Sequence, residues 1–163
     1  MIRKLHHNAY RCRDSEQTRR FYEDFLGLKL AGTLEIRETK TGRRTDVLHT
    51  FYEMGDGSFL AFFEAPGTPF EFKDQHDFDL HIALEVDPAT LDAMLARGRA
   101  SGIDTRGPAD HGFIRSIYFR DPNGYVIELC AKRAGHDAAM NPALNGARGT
   151  LQQWTAAKST KAA

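Results

Sequence analysis

The chain has 163 residues, the size of one ordinary domain, and 41% of them are hydrophobic, so it can bury a core. Its 22 Lys and Arg residues balance 22 Asp and Glu residues, which argues against a nucleic-acid or anionic-membrane surface. No signal-peptide pattern or membrane-length apolar run is evident, and the 2 cysteines are too few for a disulfide framework. We therefore expect a reduced, cytoplasmic setting.

The first half of the chain reads as a strand, a helix and three more strands. The segment HNAYRCRD, from His7, predicts the first strand. The next residues predict a helix that begins at Asp14 or Ser15 and ends near Gly27. Further on, VLHTFYEMGDGSFLAFFE, from Val47, predicts a strand, a glycine-containing turn and a strand.

The second half repeats this order. The segment HIALEVD, from His81, predicts a strand, and a helix follows that begins at Asp87 with Pro88 in its first turn and ends near Gly102. The segment FIRSIYFRDPNGYVIEL, from Phe113, again predicts strand, turn and strand. A duplicated strand–helix–strand–strand–strand unit predicts an α+β fold with two similar curved sheets, each carrying a helix on one face.

The composition changes after this duplicated region. The predicted boundaries are 1–130 for a single domain, about 2–66 and 79–130 for its modules, and 131–163 for a C-terminal tail. The tail contains ARGTLQQWTAAK, which predicts a short amphipathic helix that uses Leu151 and Trp154 to dock on the body or on a partner.

Three potential metal ligands lie at matching places in the two halves. Because side chains alternate along a strand, His7 and His81 both fall on the face opposite the apolar, helix-packed one. Glu128 lies on the corresponding face of the last strand, among β-branched and aromatic neighbours. A carboxylate in such surroundings is costly unless it is paired or coordinates a metal. His6 has the opposite parity and is given no role.

Taken together, the duplicated unit, the His-x-Ala strands, FYEDFLGLKL and YFRDPNGYVIEL resemble the vicinal oxygen chelate superfamily over roughly residues 2–130. This superfamily includes glyoxalase I, extradiol ring-cleaving dioxygenases, methylmalonyl-CoA epimerase and the fosfomycin and bleomycin resistance proteins. The resemblance implies two tandem βαβββ modules whose curved mixed sheets form a cleft around a divalent metal held by His7, His81 and Glu128. It also implies a small substrate with adjacent oxygens and a homodimer, while the balanced charge argues against nucleic-acid and membrane partners.

The number of protein ligands separates the chemistries. Two imidazoles and one carboxylate suit Fe(II) or a similar divalent ion, and on an ion with about six positions they leave about three open. A catechol and dioxygen need all of these, which favours Fe(II) or Mn(II) and an extradiol dioxygenase. A fourth protein ligand leaves about two, enough for an enediolate alone, as in glyoxalase I with Ni(II) or Zn(II).

Glu64 is the candidate for that fourth ligand. It lies close to where glyoxalase I carries its extra glutamate, and extradiol enzymes have a histidine near there. Strand parity argues the other way, since aligning the turn glycines places Ala61, not Glu64, at the position equivalent to Glu128. A β-bulge could restore Glu64 to the ligand face, so both alternatives stay open.

The segment DHGFIRSIYFRDPNGYVIE, from Asp110, resembles the signature around the extradiol active site. The chain departs from that signature at Ala109, two residues before His111. The resemblance implies that His111 moves protons or holds the bound oxygen species and that Tyr118 bonds a substrate hydroxyl. His49, two residues before Phe51, is a weaker candidate from the third strand. An extradiol-type dioxygenase is the first hypothesis, a glyoxalase-I-like lyase or related isomerase the alternative, and a drug-sequestering resistance protein the third.

Overall fold

The computed structural model describes residues 1–74 and 76–161. Its strands are β1 (Tyr10–Cys12), β2 (Lys29–Glu38), β3 (Arg44–Glu53), β4 (Phe59–Glu64), β5 (His81–Glu85), β6 (Thr105–Asp110), β7 (Ile114–Arg120) and β8 (Val126–Lys132). Its helices are α1 (Ser15–Arg19), which continues as the π-helical segment Arg20–Phe25, and α2 (Pro88–Ala100), α3 (His136–Met140) and α4 (Ala147–Lys161).

The strands form two four-stranded sheets with equivalent orders, β1-β4-β3-β2 and β5-β8-β7-β6. In the first sheet β1 pairs with β4 in parallel, and β4 pairs with β3 and β3 with β2 in antiparallel fashion. Each half of the chain forms one sheet, and in both halves the elements follow in the order strand, helix and three strands. The predicted α+β fold with duplicated βαβββ units is therefore confirmed.

The chain divides into two compact units. The first consists of Met1–Ile82 and Phe119–Ile127, and the second of Ala83–Tyr118 and Glu128–Ala163. The second unit thus includes the tail, and the first includes the turn between β7 and β8. The predicted single domain over residues 1–130 stays a prediction.

The helices that follow β1 and β5 begin and end where the sequence predicts. Asp14 Oδ1 accepts a hydrogen bond from Gln17 N at 2.6 Å, and Asp87 Oδ1 accepts one from Thr90 N at 2.9 Å. These bonds satisfy backbone donors that a helix leaves open at its N-terminus. Gly27, with φ of 84°, follows the π-helical segment and allows the chain to turn away from it.

The first strand is shorter than predicted. The sequence predicts a strand from His7, but β1 begins at Tyr10, and His7 keeps only an isolated parallel bridge to Phe59. Asn8, which lies between His7 and β1, interrupts the strand, because its side-chain oxygen accepts the hydrogen bond from Ala61 N at 2.8 Å. A side chain therefore takes a position that backbone pairing would otherwise fill.

The core of the first unit lies between the first sheet and the helix that follows β1. Tyr22, Tyr52, Leu60 and Phe62 are at most 1% exposed. The ring centre of Tyr22 is 4.7 Å from that of Phe62 and 5.5 Å from that of Tyr52. Such contacts between large rings dominate the packing of this face of the sheet.

The Asp-Pro-Asn-Gly turn is part of the same unit and is buried in it. Asp121 Oδ1 accepts from the backbone N–H groups of Asn123 and Tyr125, and its Oδ2 accepts from the Tyr22 hydroxyl at 2.9 Å. Burial raises the pKa of both Asp121 and Tyr22. Gly124 has φ of 98°, and a Cβ atom there would collide with the backbone of Lys73.

The tail contains the predicted helix, α4, but its apolar side chains are exposed. Leu151 is 64% exposed and Trp154 is 66% exposed. The expectation that they dock on the body of the chain is therefore wrong. Docking on a partner stays a prediction.

We predict that Gly124→Ala lowers the free energy of unfolding by at least about 2 kcal/mol, because the positive φ and the collision with Lys73 both oppose a Cβ atom. Chemical denaturation measures the change. Gly55→Ala is the matched control, since nothing lies within 4 Å of a Cβ there. Equal stability of the two variants would contradict this account of the turn.

Candidate metal site and its surroundings

The side of the first sheet opposite its helix carries a group of aromatic side chains. The pairing of β1, β3 and β4 places Arg11 opposite Phe63, Phe63 opposite His49, and Ala61 opposite Phe51. Residues opposite each other in a ladder lie on the same face. We call this side, with His7, Arg11, His49, Phe51, Phe59, Ala61 and Phe63, the open face.

His7 is an exposed member of the open face. Its Nδ1 lies 2.8 Å from the Nδ1 of His6, so one ring donates to the other. Its ring centre is 5.5 Å from that of Phe51 and 5.9 Å from that of His49. His6, which the sequence left without a role, thus contacts a nitrogen of the predicted ligand and orients its ring. No sequence signal identified this contact, because the neighbour has the opposite parity.

His81 is the first residue of β5 and is oriented in a similar way. Its Nδ1 lies 2.7 Å from the backbone carbonyl oxygen of Asp77. A histidine that donates from Nδ1 to a carbonyl carries its lone pair on Nε2, and metal-binding histidines commonly have this second contact. Along β5, His81, Ala83 and Glu85 are exposed while their alternating neighbours are half-buried, as the parity predicted.

Glu128 lies in β8 and is only 4% exposed. Burial raises the pKa of the Cys130 thiol, and the charge of Glu128 adds to the rise. Glu128 is therefore a carboxylate buried within an apolar strand, as the sequence indicated. Its predicted role as a metal ligand remains to be tested.

Glu64 lies on the helix side of the first sheet, not on the open face. It pairs with Cys12 in the ladder, and its Oε2 accepts a hydrogen bond from Ser15 N, at the start of α1, at 2.7 Å. Burial raises the pKa of the Cys12 thiol, and the Glu64 charge adds to this rise. Ala61 occupies the open face instead. Glu64 therefore lies on the side of β4 that strand parity predicted, and no β-bulge moves it to the face of the predicted ligands. Its role as a fourth ligand stays a prediction that would require it to leave Ser15.

His111 and Tyr118 lie together in the second unit. His111 Nε2 is 2.9 Å from the Tyr118 hydroxyl, and the guanidinium carbon of Arg106 lies 5.4 Å from the Tyr118 ring centre. The loop before β7 is fixed, since His111 N donates to Ile114 O at 3.0 Å. The two residues predicted to move a proton and hold a hydroxyl are therefore hydrogen-bonded to each other.

The imidazoles of His7 and His81 and the carboxylate of Glu128 are groups of the kind that bind a divalent metal. Imidazoles with an anchored Nδ1 and a buried carboxylate suit Zn, Ni or Fe(II). Among residues 1–74 and 76–161, however, no three His, Cys, Asp or Glu side chains lie close enough together to hold one ion. The set of His7, His81 and Glu128 is therefore a prediction about the metal-bound protein.

The described part of the chain contains no helix that is both long and apolar enough to cross a membrane.

Residues 4–129 match the family model described as Glyoxalase/Bleomycin resistance protein/Dioxygenase superfamily. A protein of Neisseria meningitidis named lactoylglutathione lyase is 32% identical over 145 residues, which cover 83% of this chain and 95% of that protein.

Solved structures agree in fold. A glyoxylase/bleomycin resistance protein/dioxygenase domain from Frankia superposes with a TM-score of 0.67 at 20% identity, covering 83% of this chain and 96% of that one. The fosfomycin resistance protein FosX of Listeria monocytogenes, solved as a mutant with Mn(II), superposes with a TM-score of 0.62 at 21% identity, covering 84% and 98%.

We predict that Glu64→Ala lowers the free energy of unfolding by about 1 kcal/mol, because Ser15 N loses its acceptor at the start of α1. Metal affinity should stay unchanged. Thermal unfolding and a chelator competition measure the two quantities, with the exposed Glu71→Ala as control. Loss of metal with unchanged apo stability would restore Glu64 as a ligand.

Proposed function

Because the chain belongs to the Glyoxalase/Bleomycin resistance protein/Dioxygenase superfamily, we propose that it is a divalent-metal-dependent enzyme whose small substrate presents two adjacent oxygen atoms. The observation that carries this proposal is the shared orientation of two histidines. His7 and His81 both have Nδ1 within hydrogen-bond distance of a neighbour, and in this proposal each binds the ion through Nε2. With Glu128 they supply a ligand set typical of Fe, Ni and Zn sites.

Lyase or isomerase chemistry of the lactoylglutathione lyase kind is the first candidate. The support is the match over 95% of a relative with that name. A bound divalent ion polarises substrate oxygens and stabilises the negative charge that develops on them. In this proposal Tyr118 donates its hydroxyl hydrogen bond to a substrate oxygen. His111 exchanges a proton through Nε2, which lies 2.9 Å from that hydroxyl.

Arg11 fits a substrate that also carries a carboxylate, as a glutathione adduct does. It lies on the open face with His7, and its Nη2 is 3.3 Å from Thr68 O and 3.5 Å from Ala65 O. These contacts are long, and within the described residues the buried Nε has no hydrogen-bond partner. A permanent cation on the open face favours binding of an anionic group.

An extradiol-type dioxygenase with Fe(II) or Mn(II) is the second candidate. The hydrogen-bonded pair of His111 and Tyr118 favours it, because catechol cleavage needs a proton acceptor beside a donor for the substrate hydroxyl. The contact between Glu64 and Ser15 also favours it, since three protein ligands leave room for dioxygen.

We predict that purified protein binds one divalent ion per ligand set and that His81→Ala or Glu128→Ala lowers metal affinity at least about 100-fold, because each removes a ligand. His136→Ala is the control. Competition with a chromogenic chelator measures the affinities. Unchanged affinity in both ligand variants would exclude the proposed site.

Two assays on metal-loaded protein separate the candidate reactions. The hemithioacetal of methylglyoxal and glutathione, with Ni(II) or Zn(II), should be converted to a thioester if the first candidate is right. Oxygen uptake with a catechol panel after anaerobic Fe(II) loading would instead establish the second. Ligand binding without turnover in either assay would favour a drug-sequestering resistance protein and contradict the proposal that the chain is an enzyme.

We also predict that Tyr118→Phe lowers kcat about 100-fold in whichever reaction is found, because the substrate oxygen loses its donor and His111 loses its path to it. Metal affinity should not change, since the hydroxyl is not a ligand. The steady-state rate and the chelator competition measure both quantities. A rise in KM alone would assign Tyr118 to binding only.

A further inference from the structure

His49 is the one buried histidine on the open face. It lies in β3 opposite Phe63 and is 5% exposed. Its ring is stacked on that of Phe63, with centres 3.7 Å apart and planes inclined by 19°. A second ring, that of Phe51, has its centre 4.1 Å away. Packing therefore fixes the position of the imidazole.

The hydrogen bond of His49 fixes its tautomer as well. Nδ1 lies 3.0 Å from the backbone carbonyl oxygen of Phe62, which can only accept, so Nδ1 carries the hydrogen and Nε2 the lone pair. With Nδ1 held by Phe62 O, Nε2 is the ring nitrogen that can bind a ligand. This is the orientation found for His81.

From this geometry we propose that His49 is a metal ligand, in the place that the Glu64 interpretation gave to a carboxylate. The inference rests on the proposed function and deepens it by naming a ligand from β3. His49 would bind through Nε2 beside His7, and the bond to Phe62 O would hold its ring in place.

The two imidazoles approach each other across β4. Strands two apart in a sheet are separated by about 10 Å, yet the ring centres of His7 and His49 are only 5.9 Å apart. Ala61 explains how this is sterically possible, since on the open face of β4 it places a single methyl group between Phe59 and Phe63. With metal–nitrogen bonds of about 2.1 Å, two imidazoles on one ion have centres roughly 5 Å apart, which is close to the 5.9 Å between these two rings.

An additional imidazole changes the expected chemistry. With His49 the ligand set has three nitrogens and one carboxylate, which favours Zn, Ni or Fe(II) over Mg or Mn. Four protein ligands leave about two positions on a six-coordinate ion. Two adjacent substrate oxygens fill these, and dioxygen has no place. The inference therefore favours the lyase over the dioxygenase.

The test compares metal binding in His49→Phe and His49→Gln with that in the unchanged chain. His49→Phe keeps a ring against Phe63 and removes both nitrogens, while His49→Gln keeps a hydrogen-bond donor for Phe62 O. We expect both to lower Zn(II) affinity about 10- to 100-fold in chelator competition. Pulsed EPR of the Cu(II)-loaded protein should show one imidazole fewer in each variant.

A direct readout does not depend on any variant that could fold poorly. In the unchanged chain with ¹⁵N-labelled histidine, Zn(II) should shift the His49 Nε2 resonance and leave Nδ1 protonated. His81→Ala and His136→Ala serve as the ligand and non-ligand controls. If His81→Ala loses metal while His49 shows neither a shift nor an effect on affinity, the inference is wrong and the proposed function stands. If His81→Ala also keeps its metal, both are wrong.

Discussion

The parallel pairing of β1 with β4 is the constraint on which the candidate site depends. Tyr10 lies opposite Phe62 and Cys12 opposite Glu64, which places these four side chains on the helix side of the sheet. Arg11 is thereby fixed on the open face. Because side chains alternate along a strand, a slip of one residue would exchange the two sets and move Glu64 to the ligand side. Register, more than composition, decides which groups can meet a metal.

The turn between β7 and β8 fastens β1, which is the edge strand of the first sheet. The Tyr125 hydroxyl donates to Arg11 O at 3.0 Å, and Asn123 Oδ1 accepts from Arg13 N at 2.9 Å. These bonds satisfy a backbone carbonyl of β1 and the N–H group of Arg13 directly after it. Asp121 ties the same turn to Tyr22. A sequence motif first interpreted as turn chemistry therefore also holds the strand that leads from His7.

A common contact orients the histidines of the first unit. His49 and His81 each place Nδ1 against a backbone carbonyl, and His7 places its own against His6. For His49 and His81, whose partners are carbonyl oxygens that can only accept, the contact also places the hydrogen on Nδ1. In the proposed site, the number of histidine ligands would set how many positions an ion keeps for substrate, and this number distinguishes the two candidate reactions.

The sequence by itself determined the duplicated βαβββ architecture, the helix limits at Asp14 and Asp87, and the exposed side of β5 that carries His81. These features depend on local periodicity and capping, which are read from neighbouring residues. Only the tertiary structure decided that Glu64 meets Ser15 N and that His49 lies beside His7. Both contacts join residues far apart in the chain, and their geometry depends on strand register and on the small size of the intervening side chain, which no local pattern encodes.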